Sequence, residues 1–289
     1  MMKYMCYNWM PTIADHILDV SEDVYKNVGT SRLHDVDKFN PHMVKDGDLI
    51  FVKTDFIING YFTNHCLKKI SNTFNLITGI SDYQLGVGSS SEYKQILEHL
   101  NLNSWICTNP PNEYHHKIIP IPIGFQEPDR PAGNQKFLED IRISQTEFGD
   151  KKDAIFLPYH DLSTNPHRQK LVEWLKTLPF VEAQEEKQTL KNYYRSLNQY
   201  KFVICLEGNG PDIHRNYETI LVGSIPINLR NAVQGVFEYH GAQAVFLDSW
   251  QDLNKGLYHK MKKIEYNCDN NSRFLEIKKH IAHIKEVIK

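Results

Sequence analysis

The sequence predicts an α/β protein with parallel sheets covered on both faces, divided into two domains. Three observations predict it. Short apolar runs alternate with helix-like stretches along most of the chain, and strands separated by helices imply parallel pairing with helices on the faces. The composition, 41% hydrophobic and 24% charged, is that of a globular chain able to bury a sizeable core. The length, 289 residues, is about twice the roughly 150 residues of one domain.

The elements follow in order. Asp46-Gly47-Asp48 is a turn signal, and Leu49 to Val52 behind it reads as a short strand. Phe74 to Thr78 reads as a second strand, and 91–100 as a helix with Ser91 placed to cap it. Trp105 to Cys107 and Ile118 to Ile123 read as further strands. Pro120 and Pro122 confine the latter to an edge or an extended crossing. Residues 126–150 are polar and rich in helix and strand breakers, and the domain boundary is placed there. The alternation then restarts. Ala154 to Leu157 is a strand, and Asn165 to Leu178 a helix with Pro166 in its first turn. Residues 187–198 make a polar helix, and Lys201 to Leu206 a strong strand. A glycine-rich loop, a helix over 214–222, and the strands Ser224 to Leu229 and Val245 to Leu247 follow. Gly223 is read as a helix C-cap and Pro226 as an edge device. Phe274, Ile277, Ile281, Ile284 and Ile288 recur at helical spacing, predicting one amphipathic helix over 272–288. The expected division is 1–135, 136–270 and a terminal helix, 271–289, packing back on the first domain.

Charge and cysteine content exclude several classes. The 33 basic and 35 acidic residues nearly cancel, so no broad field of one sign is present to hold a nucleic-acid backbone. No segment has the apolar length of a membrane span, and the N-terminus does not read as a signal peptide. The five cysteines are scattered and form no Cys-x-x-Cys pair, which fits reduced thiols in the cytoplasm and no zinc site.

The segment that carries chemistry is Leu206 to Glu218. It follows an apolar strand and precedes an apolar helix, the place where open parallel sheets bind ligands. Gly208 and Gly210, flanking Asn209, would let the backbone approach a ligand closely. His214 and Arg215 fall in the first helical turn, whose N–H groups and dipole favour an anion. A cation at that end works against the dipole and asks for an anionic ligand nearby. Glu218 lies one turn on, where a carboxylate could accept both hydroxyls of a ribose. Asp212 either contributes to the site or caps the helix. A tight turn with solvated charges is the plainer alternative for a lone glycine-rich loop. A dinucleotide fingerprint is not satisfied, because residue 213 is Ile where a third glycine is needed.

Residues 201–227, KFVICLEGNGPDIHRNYETILVGSIPI, resemble the core motif of exostosin-like glycosyltransferases. The chain departs from the family at Leu206, where proline is common, and has Tyr217 where Trp or Tyr is usual. The similarity continues through YYRSLNQYKF (193–202) and TNPHRQKLVEWL (164–175), and more faintly to 76–86 and 117–125. The resemblance implies a GT-B architecture: two Rossmann-like domains flanking a cleft, with the nucleotide sugar bound mainly by the second. It implies a UDP-sugar donor, inversion at the anomeric carbon, a glycan acceptor and no obligatory metal or other cofactor. Without a metal, helix N-termini and Arg or His must stabilise the leaving diphosphate. Arg168 and Arg215 are the expected diphosphate ligands, with the Gly208–Asn209–Gly210 backbone beside them and His214 assisting; the plainer alternative for Arg168 is a surface side chain beside the apolar face of its helix, against which its place near the helix N-terminus counts. Glu218 is the expected ribose ligand, and Glu207 could touch either sugar.

An inverting transfer needs a base for the acceptor hydroxyl. Asp82, after the Phe74–Thr78 strand, is the first choice and Asp55 the second; His65, His115 and His116 are further candidates. Each could be an ordinary loop residue. His115 and His116 are expected to point apart, and His280 and His283 to be solvated face residues, so no structural metal is expected. The function expected is therefore transfer of a sugar, conceivably a pentose such as xylose, from a UDP donor to a glycan hydroxyl. The alternative is a non-catalytic partner that binds a sugar nucleotide or glycan without turnover.

Overall fold

The structure is a computed structural model that describes residues 2–19, 39–88, 90–113, 115–162 and 168–289. Two five-stranded sheets organise it, and every strand pairing within them is parallel. The first contains β1 (His16–Leu18), β2 (Asp48–Lys53), β3 (Phe74–Gly79), β4 (Leu102–Cys107) and β5 (Ile118–Pro120), in that spatial order. The second contains β6 (Lys152–Leu157), β7 (Val181–Ala183), β8 (Tyr200–Ile204), β9 (Ile225–Leu229) and β10 (Val245–Leu247), in the order β10-β9-β8-β6-β7. The fold class is the one the sequence predicts, α/β with two parallel sheets.

Along the chain the helices are α1 (Thr54–Ile58), α2 (Ser90–Leu97), α3 (Gln135–Ile143), α4 (Arg168–Leu175), α5 (Leu190–Leu197) and α6 (His214–Leu221), then α7 (Ala232–His240), α8 (Lys255–Met261), α9 (Cys268–Phe274) and α10 (Ile277–Val287). The start expected for the helix at Asn165 and Pro166 lies outside the described residues. Central strands are apolar because both faces are covered: all six residues of β3 are buried. Proline is tolerated in β5 because that strand is an edge.

Two expectations are corrected. Pro226 is not on an edge strand, since β9 lies between β8 and β10. It is tolerated because β10 joins only from Ile227 onward, so no strand flanks that side of β9 at Pro226. The terminal helix is not continuous over 272–288 but breaks at Leu275 and Glu276 between α9 and α10. Tertiary pairing makes the break. Met5 N–H donates to the Leu275 carbonyl at 3.0 Å, Ile277 N–H to the Lys3 carbonyl at 3.0 Å, and Tyr4 bridges Glu276. Beyond it α10 packs Ile277 and Ile284 against Leu49, Phe51 and Ile77 of the first sheet. Phe274, on the other side of the break, packs with Tyr217 and Phe237 of the second half.

Side chains of the second half also seal the junction. The Asp212 carboxylate is buried and accepts from Ile123 N–H (3.2 Å), Ile213 N–H (2.8 Å), Asn216 Nδ2 (3.0 Å) and the Tyr217 hydroxyl. Its own N–H donates to Asn109 Oδ1 at 3.3 Å. Asn109 has φ +45° and Ile80 φ +55°, left-handed conformations that are costly for a β-branched residue such as Ile80. Both stand just beyond the carboxyl ends of first-sheet strands, and Asn109 meets Asp212 of the second half there.

Candidate active site

The strand order of the second sheet reverses between β6 and β8. That switch point, at the carboxyl ends of the strands, is where an open parallel sheet leaves a crevice. A cavity of about 250 Å³ lies there, lined by His160, Asp161, Arg168, Leu206, Ile213, His214, Arg215 and Glu218. It adjoins a larger one of about 400 Å³, whose walls share Asp161, Arg215 and Glu218 and add Tyr159, Gln184, Gln188 and Tyr193 among others. The smaller cavity is lined by the segments after β6 and β8 and by α4 and α6; the larger one adds the segment after β7 and α5. The sequence brings them together because each helix must begin directly above the strand that precedes it.

Helix α6 opens at Ile213, whose side chain caps nothing. The N–H groups of its first turn thus lack a side-chain partner of the kind that Ser, Thr, Asn or Asp supplies. Arg215 is held on three sides. Its Nε donates to the Tyr193 hydroxyl (3.2 Å), its Nη2 to the Tyr159 carbonyl (3.0 Å), and its Nη1 to His160 Nε2. The Tyr193 hydroxyl in turn donates to Glu218 Oε2 at 2.6 Å. Burial, then the Glu218 charge, push the Tyr193 phenol well up, so it stays a neutral bridge between cation and carboxylate. Arg168 donates through Nε to the Glu207 carbonyl at 2.7 Å and through Nη2 to the Leu206 carbonyl at 3.2 Å. Burial and then the nearby Arg215 charge lower the Arg168 pKa, the mark of two cations sharing one partly desolvated space.

The remaining predicted residues divide into two groups. His214 lines the smaller cavity and its Nδ1 meets the Gly124 carbonyl at 2.7 Å, linking the two halves. Gly208 lies against Arg168, and its N–H donates to the Gly210 carbonyl at 3.1 Å, closing the loop. Asn209 is exposed at the loop tip. Glu207 does not line either cavity; its Oε1 accepts from Asn231, which caps α7. Two readings are corrected. A Cβ on Gly210 would lie 2.6 Å from the Asp82 carbonyl oxygen, so this glycine admits the 81–83 loop rather than a ligand. Asp212 neither caps α6 nor reaches the cavity, because its hydrogen bonds hold the junction.

In the first half, Asp82 is exposed on the loop that abuts Gly210. Asp55 sits in the first turn of α1, its Oδ2 3.6 Å from Lys53 Nζ. Burial, then the charges of Asp82, Asp55, Glu127 and Asp19 around it, push the Tyr7 phenol far up. The Tyr7 ring meets the His214 ring edge-on, with centroids 5.8 Å apart. These carboxylates thus cluster around Tyr7, whose ring touches His214 of the smaller cavity. His65 is exposed beside Tyr61, away from this arrangement, with ring centroids 4.9 Å apart. His115 and His116 do not point apart; their rings stack at 4.3 Å. His280 is not solvated. It is buried, because the junction closes over it, and its Nε2 meets the Phe274 carbonyl at 2.8 Å.

His160 and Tyr193 are the site residues that sequence reasoning missed. Tyr193 lies within the quoted 193–202 segment, and His160 follows the β6 strand by three residues. The signal for both is strand order, which pairs β6 with β8. Among the described residues no group of three His, Cys, Asp or Glu side chains is arranged to hold a metal ion, and no helix is long and apolar enough to cross a membrane.

No family model matches the chain, and no curated protein matches it. Among solved structures the chain is similar to the catalytic domain of starch synthase IV from Arabidopsis thaliana, bound to ADP and acarbose. The likeness has 12% identity, covers 83% of this chain and 72% of that one, and has a TM-score of 0.38. A likeness at that level says nothing of the residues of the site.

Proposed function

We propose that the chain is an inverting glycosyltransferase that moves a sugar from a UDP-sugar to a hydroxyl of a glycan acceptor. One observation carries the reading: Arg168, Arg215 and the uncapped start of α6 converge on a cavity at the switch point of the second sheet. Two guanidiniums and a helix N-terminus suit a diphosphate. Glu218, beside them, suits the ribose hydroxyls, and the adjoining cavity has the volume for the rest of a nucleotide. The resemblance of residues 201–227 to the exostosin-like core supports UDP as the nucleotide, and a compact site suits a pentose such as xylose.

In this reading residues 1–135 form the acceptor side, 136–270 the donor side, and 271–289 the returning helix. A carboxylate of the first half, Asp82 first and Asp55 second, takes the proton from the acceptor hydroxyl. The acceptor oxygen attacks the anomeric carbon from the face opposite the nucleotide, and the carbon–oxygen bond to the β-phosphate breaks. The negative charge left on UDP is met by Arg168, Arg215 and the α6 N–H groups, a stabilisation that needs no metal. The five unpaired cysteines suit a cytoplasmic site of action.

The test is a screen of single UDP- and GDP-sugars by NMR, following binding and slow hydrolysis, with Arg215→Ala alongside. Selective binding and consumption of one UDP-sugar, lost in the variant, is the expected result. UDP binding with no consumption, even with mixed glycan acceptors added, would leave a sugar-nucleotide-binding partner instead. Absence of nucleotide binding would overturn the assignment of the cavity.

A further inference from the structure

We propose that His160 is a positioning residue: a buried, neutral hydrogen-bond acceptor that aims Arg215 into the cavity while leaving its charge uncompensated for the ligand. The inference rests on reading the cavity as an oxyanion site, and adds to it a residue and a role that the sequence did not reveal.

The tautomer follows from geometry. His160 Nδ1 lies 2.7 Å from the Pro158 carbonyl oxygen, which can only accept, so Nδ1 carries the hydrogen. Nε2 of the neutral ring is then a bare lone pair, and it faces Arg215 Nη1, which can only donate. A proton on Nε2 would set N–H against N–H. Burial, then the charges of Arg215 and Arg168, drive the ring pKa down to about 2, so the neutral form persists throughout the working pH range.

The other holds on Arg215 have the same character. The Tyr159 carbonyl and the Tyr193 hydroxyl are uncharged acceptors. With His160 they engage three of the five guanidinium N–H bonds and leave two for oxyanion oxygens. Among the described residues no carboxylate forms an ion pair with Arg215; Glu218 reaches it through the Tyr193 hydroxyl. A carboxylate at position 160 would fix the same geometry yet cancel the charge at contact distance. A neutral imidazole fixes the geometry and preserves the charge.

The experiment compares His160→Gln, His160→Glu and His160→Leu with the wild type, using UDP and inorganic pyrophosphate as probes in calorimetric titrations and thermal melts as the check on folding. The wild type is expected to bind both probes. His160→Gln, a neutral acceptor, keeps affinity within about threefold, whereas His160→Glu, an acceptor that neutralises Arg215, weakens both probes on the order of 10-fold or more. His160→Leu, which accepts nothing, loses affinity on the same order while its melting temperature stays near that of His160→Gln. Equal affinities of the Gln and Glu variants, or full affinity in the Leu variant, would overturn the role assigned to His160 and leave the oxyanion site standing. A wild type that binds neither UDP nor pyrophosphate would overturn both. If the Glu variant does not fold, the Leu and Gln pair decides.

Discussion

Acid should destabilise this protein early, through two histidines at the junction of its halves. His240, at the end of α7, has Nε2 2.9 Å from the Pro120 carbonyl of β5, so it ties the second half to the first. His280 of α10 has Nε2 2.8 Å from the Phe274 carbonyl, and the two rings meet edge-on at 4.7 Å. Each therefore donates through Nε2 and keeps a bare Nδ1. His280 Nδ1 is buried without a hydrogen-bond partner. Burial, then the neighbouring His280, lower His240 to about 3, and burial lowers His280 to about 4. In the unfolded chain both titrate near about 6.5. The folded state thus binds fewer protons below that pH. Its stabilisation is fully present above about 6.5 and is lost as pH falls toward the folded values. Each histidine contributes a slope of about 1.4 kcal/mol per pH unit in that window. From about pH 6.5 to about pH 5 that is about 2 kcal/mol per residue, or roughly 4 kcal/mol for the pair, a large part of a typical stability of about 5–15 kcal/mol. Urea unfolding at stepped pH values measures it, with His240→Gln, which retains an N–H donor for Pro120, as the comparison. The variant should show a slope shallower by about 1.4 kcal/mol per pH unit. Identical slopes in wild type and variant, or a wild-type stability flat down to about pH 5, would refute the reasoning.

Other expectations follow from single contacts. Tyr193→Phe removes the hydroxyl between Arg215 and Glu218, and UDP affinity measured by titration should fall on the order of 10-fold with little change in secondary structure by circular dichroism. Asp212→Ala removes the buried acceptor on which Asn216 Nδ2, Ile213 N–H and the Tyr217 hydroxyl converge, and chemical denaturation should register a loss of about 2–4 kcal/mol. Gly210→Ala drives a Cβ into the Asp82 backbone, so the melting temperature should fall, while Gly149→Ala, with open space around it, should change it little.

How much of this was legible in the sequence depends on what each feature rests on. Buried parallel strands are legible as apolar runs because both faces are covered; Lys201 to Leu206 and Val245 to Leu247 needed no tertiary information to be found. The break between α9 and α10 was not legible, because the apolar stripe from Phe274 to Ile288 continues across it. The periodicity shows which residues are buried, not that Phe274 and Ile277 are buried in different halves. Arg168 and Arg215, read from helix starts after apolar strands, and Glu218 one turn on, line one cavity in the fold. Gly210 and Asp212 were misread for one reason. Glycine and aspartate in a loop signal a close approach and a hydrogen-bonding need, but not whether the partner is a ligand or the Asp82 and Ile123 backbones. His160 stayed hidden because its place beside Arg215 depends on β6 lying next to β8, and strand order is a property of the folded sheet.

If Arg215 and its surroundings hold the diphosphate of a nucleotide sugar, the diphosphate dominates UDP affinity. Calorimetric titration of UDP and of uridine into the wild type and Arg215→Met tests it most directly. The wild type should bind UDP far more tightly than uridine, and Arg215→Met should weaken UDP by about 10- to 100-fold while leaving uridine nearly unchanged. Equal affinity for UDP and uridine in the wild type, or UDP binding indifferent to Arg215, would contradict it.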